Sequence, residues 1–190
     1  MTDNQAAFIQ AVNDLRAGTT TDAIDRMAAN YGNIQYRFPD LQSLHDTAAA
    51  SRGPFVEVGS VLTTVVLGVV AEKLGTSVVA VESSTQWAAS TQAVLDMCNI
   101  STVTIWTDDL RAYLATLKDE LPFVLIDGPD DLTLRARSIY WLGDYMRNAT
   151  VVTSSVANDV TNNELTLWAD RHGRSITQGA NAALISTPNQ

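Results

Sequence analysis

A single cysteine, Cys98, stands among 190 residues, which excludes an intramolecular disulfide and a cysteine-ligated zinc site and makes a reducing compartment the expectation. Its apolar neighbours Val94, Leu95 and Met97 suit an inert buried thiol. Bases are scarce too. Twelve Lys and Arg face 21 Asp and Glu, a formal charge of -9, and nothing is more clustered than Arg135 and Arg137, so nucleic acid and anionic lipid are disfavoured partners. Only two histidines are present. His172 before Gly173 reads as a helix-end residue that complements the dipole, and His45 as a satisfied surface residue. No G-x-S-x-G elbow precedes a Ser-Asp-His order, which disfavours a hydrolase. The apolar runs fall short of a membrane span and Met1–Gln5 has no basic stretch, so the expectation is a cytoplasmic protein with no membrane partner.

What is present is an apolar fraction of 46% with 17% charge, enough for a core of ordinary size. β-Branched, apolar runs at Phe55–Val58, Val78–Val81, Val103–Trp106, Phe123–Ile126 and Thr150–Thr153 read as parallel strands buried on both faces. Between them, Thr63–Leu74, Gln86–Asn99, Asp108–Lys118 and Leu134–Arg147 are compatible with helices, and Gly75 and Asn148 sit where helices should stop. This alternation predicts βαβ units and an α/β, doubly wound, mostly parallel sheet over 51–190. Asn162–Arg171 adds a helix, and Ser175–Thr177 with Asn181–Ser186 a hairpin around Gly179.

Residues 1–50 differ in kind. Gln5–Ala17, Thr21–Asn30 and Leu41–Ala50 read as helices, with a cap region at Thr19-Thr20-Thr21-Asp22, and Tyr31–Pro39 carries Tyr36, Arg37 and Phe38 without a clear period. This N-terminal helical segment reads either as a cap over the sheet's ligand edge or as a plain extension of the core.

Ligands of open α/β sheets bind beyond the carboxyl ends of the strands. The residues there are Glu57, Gly59 and Ser60, then Glu82, Ser83 and Ser84, then Thr107, Asp108 and Asp109, then Asp127, Gly128 and Pro129, and last Ser154 and Ser155. Four of these five ends carry carboxylates. Each acid has a plainer reading as a helix N-cap or turn residue, which suits Asp108 and Glu57 and is about even for Asp127 in its Asp127-Gly128-Pro129 turn. Glu82 makes a poor cap and favours a binding role. The tryptophans Trp87, Trp106, Trp141 and Trp168 read as core, with Trp106 the exception because it closes the third strand. Arg135 and Arg137 either meet an anionic group or solvate a helix.

From about Phe55 to Ile185 the chain resembles class I S-adenosylmethionine-dependent methyltransferases. Glu57-Val58-Gly59-Ser60 resembles their first motif, Glu82 the acid that takes the ribose hydroxyls, Asp108 the acid beside the adenine, and Phe123–Gly128 the fourth-strand motif. The resemblance implies the strand order 3-2-1-4-5-7-6, S-adenosylmethionine as cofactor, and a cofactor site of Glu57, Gly59, Ser60, Glu82, Ser83, Asp108 and Asp127, with Asp127 also the candidate catalytic base or acceptor-orienting group. Independently of it, a dinucleotide pyrophosphate asks for G-x-G-x-x-G, whereas Val61 and Thr64 fill the second and third glycine positions. A ligand that carries a cation and no phosphate suits the acidic rim better.

Two positions depart from the family. Val61 stands where glycine is usual, where a β-branched side chain can obstruct the cofactor or demand an unsuitable φ. Ser154-Ser155 stands where metal-dependent relatives carry acids, with Asn158-Asp159 too far along, so a metal-independent site is expected. The leading reading is methyl transfer to an oxygen or nitrogen of a small-molecule acceptor. Its alternative is a methyltransferase-like binding or scaffold protein that has lost catalysis, and a nicotinamide-dependent oxidoreductase ranks third.

Overall fold

The computed structural model describes residues 1–31, 41–129, 131–153, 159–178 and 184–187. Tyr36, Arg37 and Phe38, Ser154 and Ser155, Asn158, and the turn at Gly179 lie outside them. Five parallel strands, β1 (Phe55–Val58), β2 (Val78–Val81), β3 (Val103–Trp106), β4 (Phe123–Ile126) and β5 (Thr150–Thr153), form the centre of one sheet. It continues through the antiparallel β7 (Leu184–Thr187) and β6 (Ser175–Gln178), giving the order β3-β2-β1-β4-β5-β7-β6. Val58 is level with Val81 and Ile126, Val81 with Trp106, and Ile126 with Thr153. The parallel strands therefore stop in line, and whatever follows them shares one edge.

Alternation within the strands divides the core. Phe55, Phe123, Leu125 and Val152 face one side, where they pack with α4 (Leu62–Leu74) and the N-terminal helices. Val56, Val58, Val124, Ile126 and Val151 face the other, beneath α6 (Leu110–Leu114), α7 (Leu132–Leu142) and α8 (Asp159–Arg171). α5 (Thr85–Met97) lies beside α4 and supplies Leu95 to the first side. α4 is apolar around nearly its whole circumference because it lies between sheet and helices.

The N-terminal helices α1 (Asp3–Ala17), α2 (Thr20–Asn30) and α3 (Leu41–Ala50) send Val12, Leu15, Met27 and Leu44 into the α4 side of the core. Arg16 forks onto Glu72 at 2.8 and 3.1 Å and donates to the Cys98 carbonyl, while Lys73 donates to the Leu15 carbonyl. These ties sit at the far ends of α4 and α5, away from the strand ends that precede those helices. α1 is thus tied to the ends of α4 and α5 that lie away from the ligand edge. Cys98 is buried, and burial pushes its thiol up to about 11.

Three helix expectations are corrected. The predicted helix 108–118 is only Leu110–Leu114: Asp109 caps it, and the Thr116 hydroxyl and N–H both take the Tyr113 carbonyl, tightening the chain out of α geometry. The predicted helix 134–147 stops at Leu142, where Gly143 takes a φ of 32° and a 3-10 turn over Gly143–Met146 follows. Thr19 stands at the start of α2 but its side chain makes no capping bond. Among the described residues no helix is long and apolar enough to cross a membrane.

Candidate active site

The in-line strand ends meet at Gly59. Its N–H donates to the Val81 carbonyl at 2.9 Å, and the N–H groups of Asp127 and Gly128 converge on the Val58 carbonyl at 2.9 and 2.7 Å. Gly59 has a φ of 102°, and a Cβ built on it would lie 2.9 Å from the Gly128 nitrogen; one built on Gly128 would lie 2.8 Å from the Gly59 Cα. Two bare backbones therefore touch where β1 and β4 end, a contact that only glycine at both positions allows.

Beside this contact lies a cleft of about 280 Å3. Val58, Gly59, Val81, Glu82 and Ser83 form one wall, Thr107 to Leu110 another, and Pro129 with Leu134, Ser138 and Trp141 the third. Glu82, Asp108 and Asp109 are its charged groups, and of the three Glu82 is the buried one. Its Oε1 accepts from the Ser84 N–H at 2.8 Å and its Oε2 from the Ser60 hydroxyl at 3.1 Å, with Ser60 in turn 3.0 Å from the Thr91 hydroxyl. A carboxylate has about four acceptor sites, so this pinned group keeps capacity for a diol.

Of the predicted site residues, the structure brings Gly59, Glu82, Ser83 and Asp108 to the cleft wall. Ser60 stands behind Glu82 as its hydrogen-bond donor. Asp108 is not the helix cap: Asp109 is, accepting from the Arg111 N–H at 2.6 Å, while Asp108 accepts from the Asp109 N–H and stays exposed. Glu57 is neither a cap nor a wall residue. It points to the α4 side of the sheet with no exposed surface, Thr63 donates to its Oε1, and its Oε2 has no partner. Burial pushes it up to about 8, against the Thr63 and Thr64 hydrogen bonds, and the Glu82 charge adds to the rise. Asp127 is buried behind Gly128, with its Oδ2 3.5 Å from the same Thr63 hydroxyl.

Val61 does not obstruct this site. Its φ of 168° is ordinary extended backbone, and its side chain is buried in the core on the α4 side. Its N–H donates to the Thr64 hydroxyl at 2.9 Å, which fastens the start of α4 without a glycine.

Other readings are corrected. Trp141 is half-exposed and lines the cleft rather than filling the core, and Trp87 is 37% exposed on α5. Trp106 turns from the cleft to an edge contact with Tyr113 at 5.7 Å, its buried indole N–H lacking a partner. Arg135 is buried and donates to the Pro129 carbonyl at 3.0 Å, so it supports the turn after β4, while Arg137 is exposed. His45 is buried rather than at the surface, with Nδ1 2.9 Å from Asp46 Oδ1 and Nε2 unpartnered. The cleft face of α7 escaped the sequence reading, although Leu134, Ser138 and Trp141 recur at helical spacing. No group of three His, Cys, Asp or Glu that could hold a metal occurs among the described residues.

No protein-family model matches the chain, and no curated protein matches it. Solved structures do. A precorrin-6y C5,15-methyltransferase from Geobacter metallireducens is similar with a TM-score of 0.61 at 13% identity, over 77% of this chain and 85% of that one. A SAM-dependent O-methyltransferase from Thermotoga maritima has a TM-score of 0.60 at 13% identity, over 88% and 72%. An O-methyltransferase from Bacillus cereus, solved with SAH, has a TM-score of 0.55 at 16% identity, over 94% and 89%. At such identities the likeness speaks for architecture alone, and the architecture is that of the class I S-adenosylmethionine-dependent methyltransferases.

Proposed function

We propose that the protein transfers a methyl group from S-adenosylmethionine to an oxygen or nitrogen of a small molecule. The observation that carries this reading is Glu82: a carboxylate fixed by Ser60 and the Ser84 N–H, with acceptor capacity to spare, on a cleft wall next to the bare backbone of Gly59. Those groups suit a ribose diol approached closely by backbone, and nothing on that wall supplies the second and third glycines a pyrophosphate requires. In this reading Glu82 takes the ribose hydroxyls, Asp108 and Ser83 the polar edges of the nucleoside, and Gly59 the close approach. When bound, S-adenosylmethionine supplies an electrophilic methyl group. Asp127, buried behind Gly128 and sharing the Thr63 hydroxyl with Glu57, is the candidate base or acceptor-orienting group. In-line methyl transfer needs chiefly positioning and exclusion of water, so a site with one candidate base is sufficient. With Val61 directed into the core, the main reason for a non-catalytic reading is gone.

The test is thermal unfolding with S-adenosylhomocysteine, with NAD in parallel. Ligand at about a hundred times its dissociation constant adds roughly 2.7 kcal/mol to the native state, a rise of about 5–10 °C for a chain of this size. Glu82→Gln can keep the Ser84 N–H on its carbonyl oxygen but sets an NH2 group against the Ser60 hydroxyl, and is expected to weaken S-adenosylhomocysteine about tenfold or more through loss of a charged hydrogen-bond acceptor. A rise with NAD alone, or with neither ligand, refutes the proposal.

A further inference from the structure

Trp141 separates two cavities. It lines the cleft, and it also lines a neighbouring cavity of about 590 Å3 between α6, α7 and α8. Arg111 lines only the second cavity, with its guanidinium carbon 5.1 Å from the centre of the Trp141 ring. Asp109 holds that guanidinium, Oδ1 accepting from Nε at 3.1 Å and Oδ2 from Nη2 at 2.8 Å, while the same carboxylate caps α6. The indole is thus a partition with a cation behind it, and the cation is fixed to the segment that follows β3. On the cleft side Trp141 shares its wall with Leu134, and Leu110 stands on the wall formed after β3. Apolar and aromatic walls with Asp108 at the margin suit a flat, uncharged heteroaromatic ring bearing an amino group.

We infer that Trp141, backed by the Asp109–Arg111 pair, is the stacking wall for the purine of the bound nucleoside. Arg111 and Asp109 are positioning residues in this arrangement and Trp141 is the residue in contact. The inference rests on the proposed nucleoside cofactor, and it adds a specificity element on a helix that carries none of the motif residues.

The experiment measures S-adenosylhomocysteine and adenosine binding by calorimetry and by the change in tryptophan fluorescence, for the wild type, Trp141→Ala, Trp141→Phe, Arg111→Met and the Arg111→Met/Trp141→Ala double variant. Stacking of a base on an aromatic side chain, read by alanine substitution, corresponds to a loss on the order of 10- to 100-fold. Trp141→Ala is expected to lose that much for both ligands. Trp141→Phe should retain affinity within a few-fold but lose the fluorescence change. Arg111→Met should weaken binding severalfold when Trp141 is present and add nothing in the double variant, because it acts through the ring. Trp141 is half-exposed, and an unchanged unfolding midpoint establishes that the variants are folded. Wild-type affinity in Trp141→Ala overturns the stacking wall and leaves the cofactor reading standing. An additive Arg111 effect overturns the positioning role. A wild type that binds neither ligand overturns the cofactor reading, and the wall with it.

Discussion

Glu57→Gln should change how stability depends on pH. Glu57 has no exposed surface and one unpartnered oxygen, and burial raises it from 4.5 to about 8. Below pH 4.5 the carboxyl is protonated whether the chain is folded or not, and its contribution to stability is fully present. Between 4.5 and about 8 the unfolded chain has released the proton while the native one retains it, so stability falls as pH rises. Beyond about 8 the native state ionises too and the loss levels off. The whole interval corresponds to an upper bound on the order of 5 kcal/mol. Glutamine removes this dependence. It keeps an acceptor for Thr63 but sets an NH2 group where Oε2 has no partner, at a cost of about 1–3 kcal/mol. The variant is therefore expected to be less stable than the wild type at pH 4.5 and more stable at pH 8, with the two curves crossing between. Urea unfolding followed by circular dichroism at four or five pH values gives both curves, and their difference cancels every other titrating group. Parallel curves would refute the neutral, buried Glu57.

Two further outcomes are expected. Gly59→Ala puts a Cβ 2.9 Å from the Gly128 nitrogen at a φ of 102°; backbone strain and overpacking together cost about 2–5 kcal/mol, and S-adenosylhomocysteine binding should be lost with the loop geometry. An unfolding midpoint within 2 °C of the wild type, about the shift expected per 1 kcal/mol or less, would contradict the close approach of β1 and β4. Arg174→Met removes a buried guanidinium that donates to the Arg147 carbonyl at 2.6 Å and to the Ala149 carbonyl and lies 4.9 Å from the Trp168 ring centre; two carbonyls lose a charged donor, and denaturant unfolding should show a loss of about 2–4 kcal/mol.

Much of the architecture is local information. Runs such as Phe123-Val-Leu-Ile126 have no polar face to offer water, and with helix-length segments between them they leave a parallel sheet covered on both sides as the consistent arrangement. Gly59 was legible for a similar reason, since an apolar strand that stops at a glycine before a helix marks a tight turn. Helix lengths were less legible, because Gly143 and Thr116 end α7 and α6 through backbone geometry and a hydroxyl bond that periodicity does not register. The site divides in the same way. Glu57 and Glu82 look alike as acids near strand ends, yet Glu57 is the third residue of a four-residue strand and is turned under α4, whereas Glu82 lies one step past its strand and is level with Gly59 on the open edge. Val61 looks like an obstruction until the chain directs it into the core. Trp141 becomes a wall only when α7 packs beside the end of β3. Sequence alone determined which segments are apolar enough to be buried and where the chain must turn. The tertiary structure decided which side of each segment faces the cleft, because that depends on the register of neighbouring strands and on how a helix later in the chain packs against them.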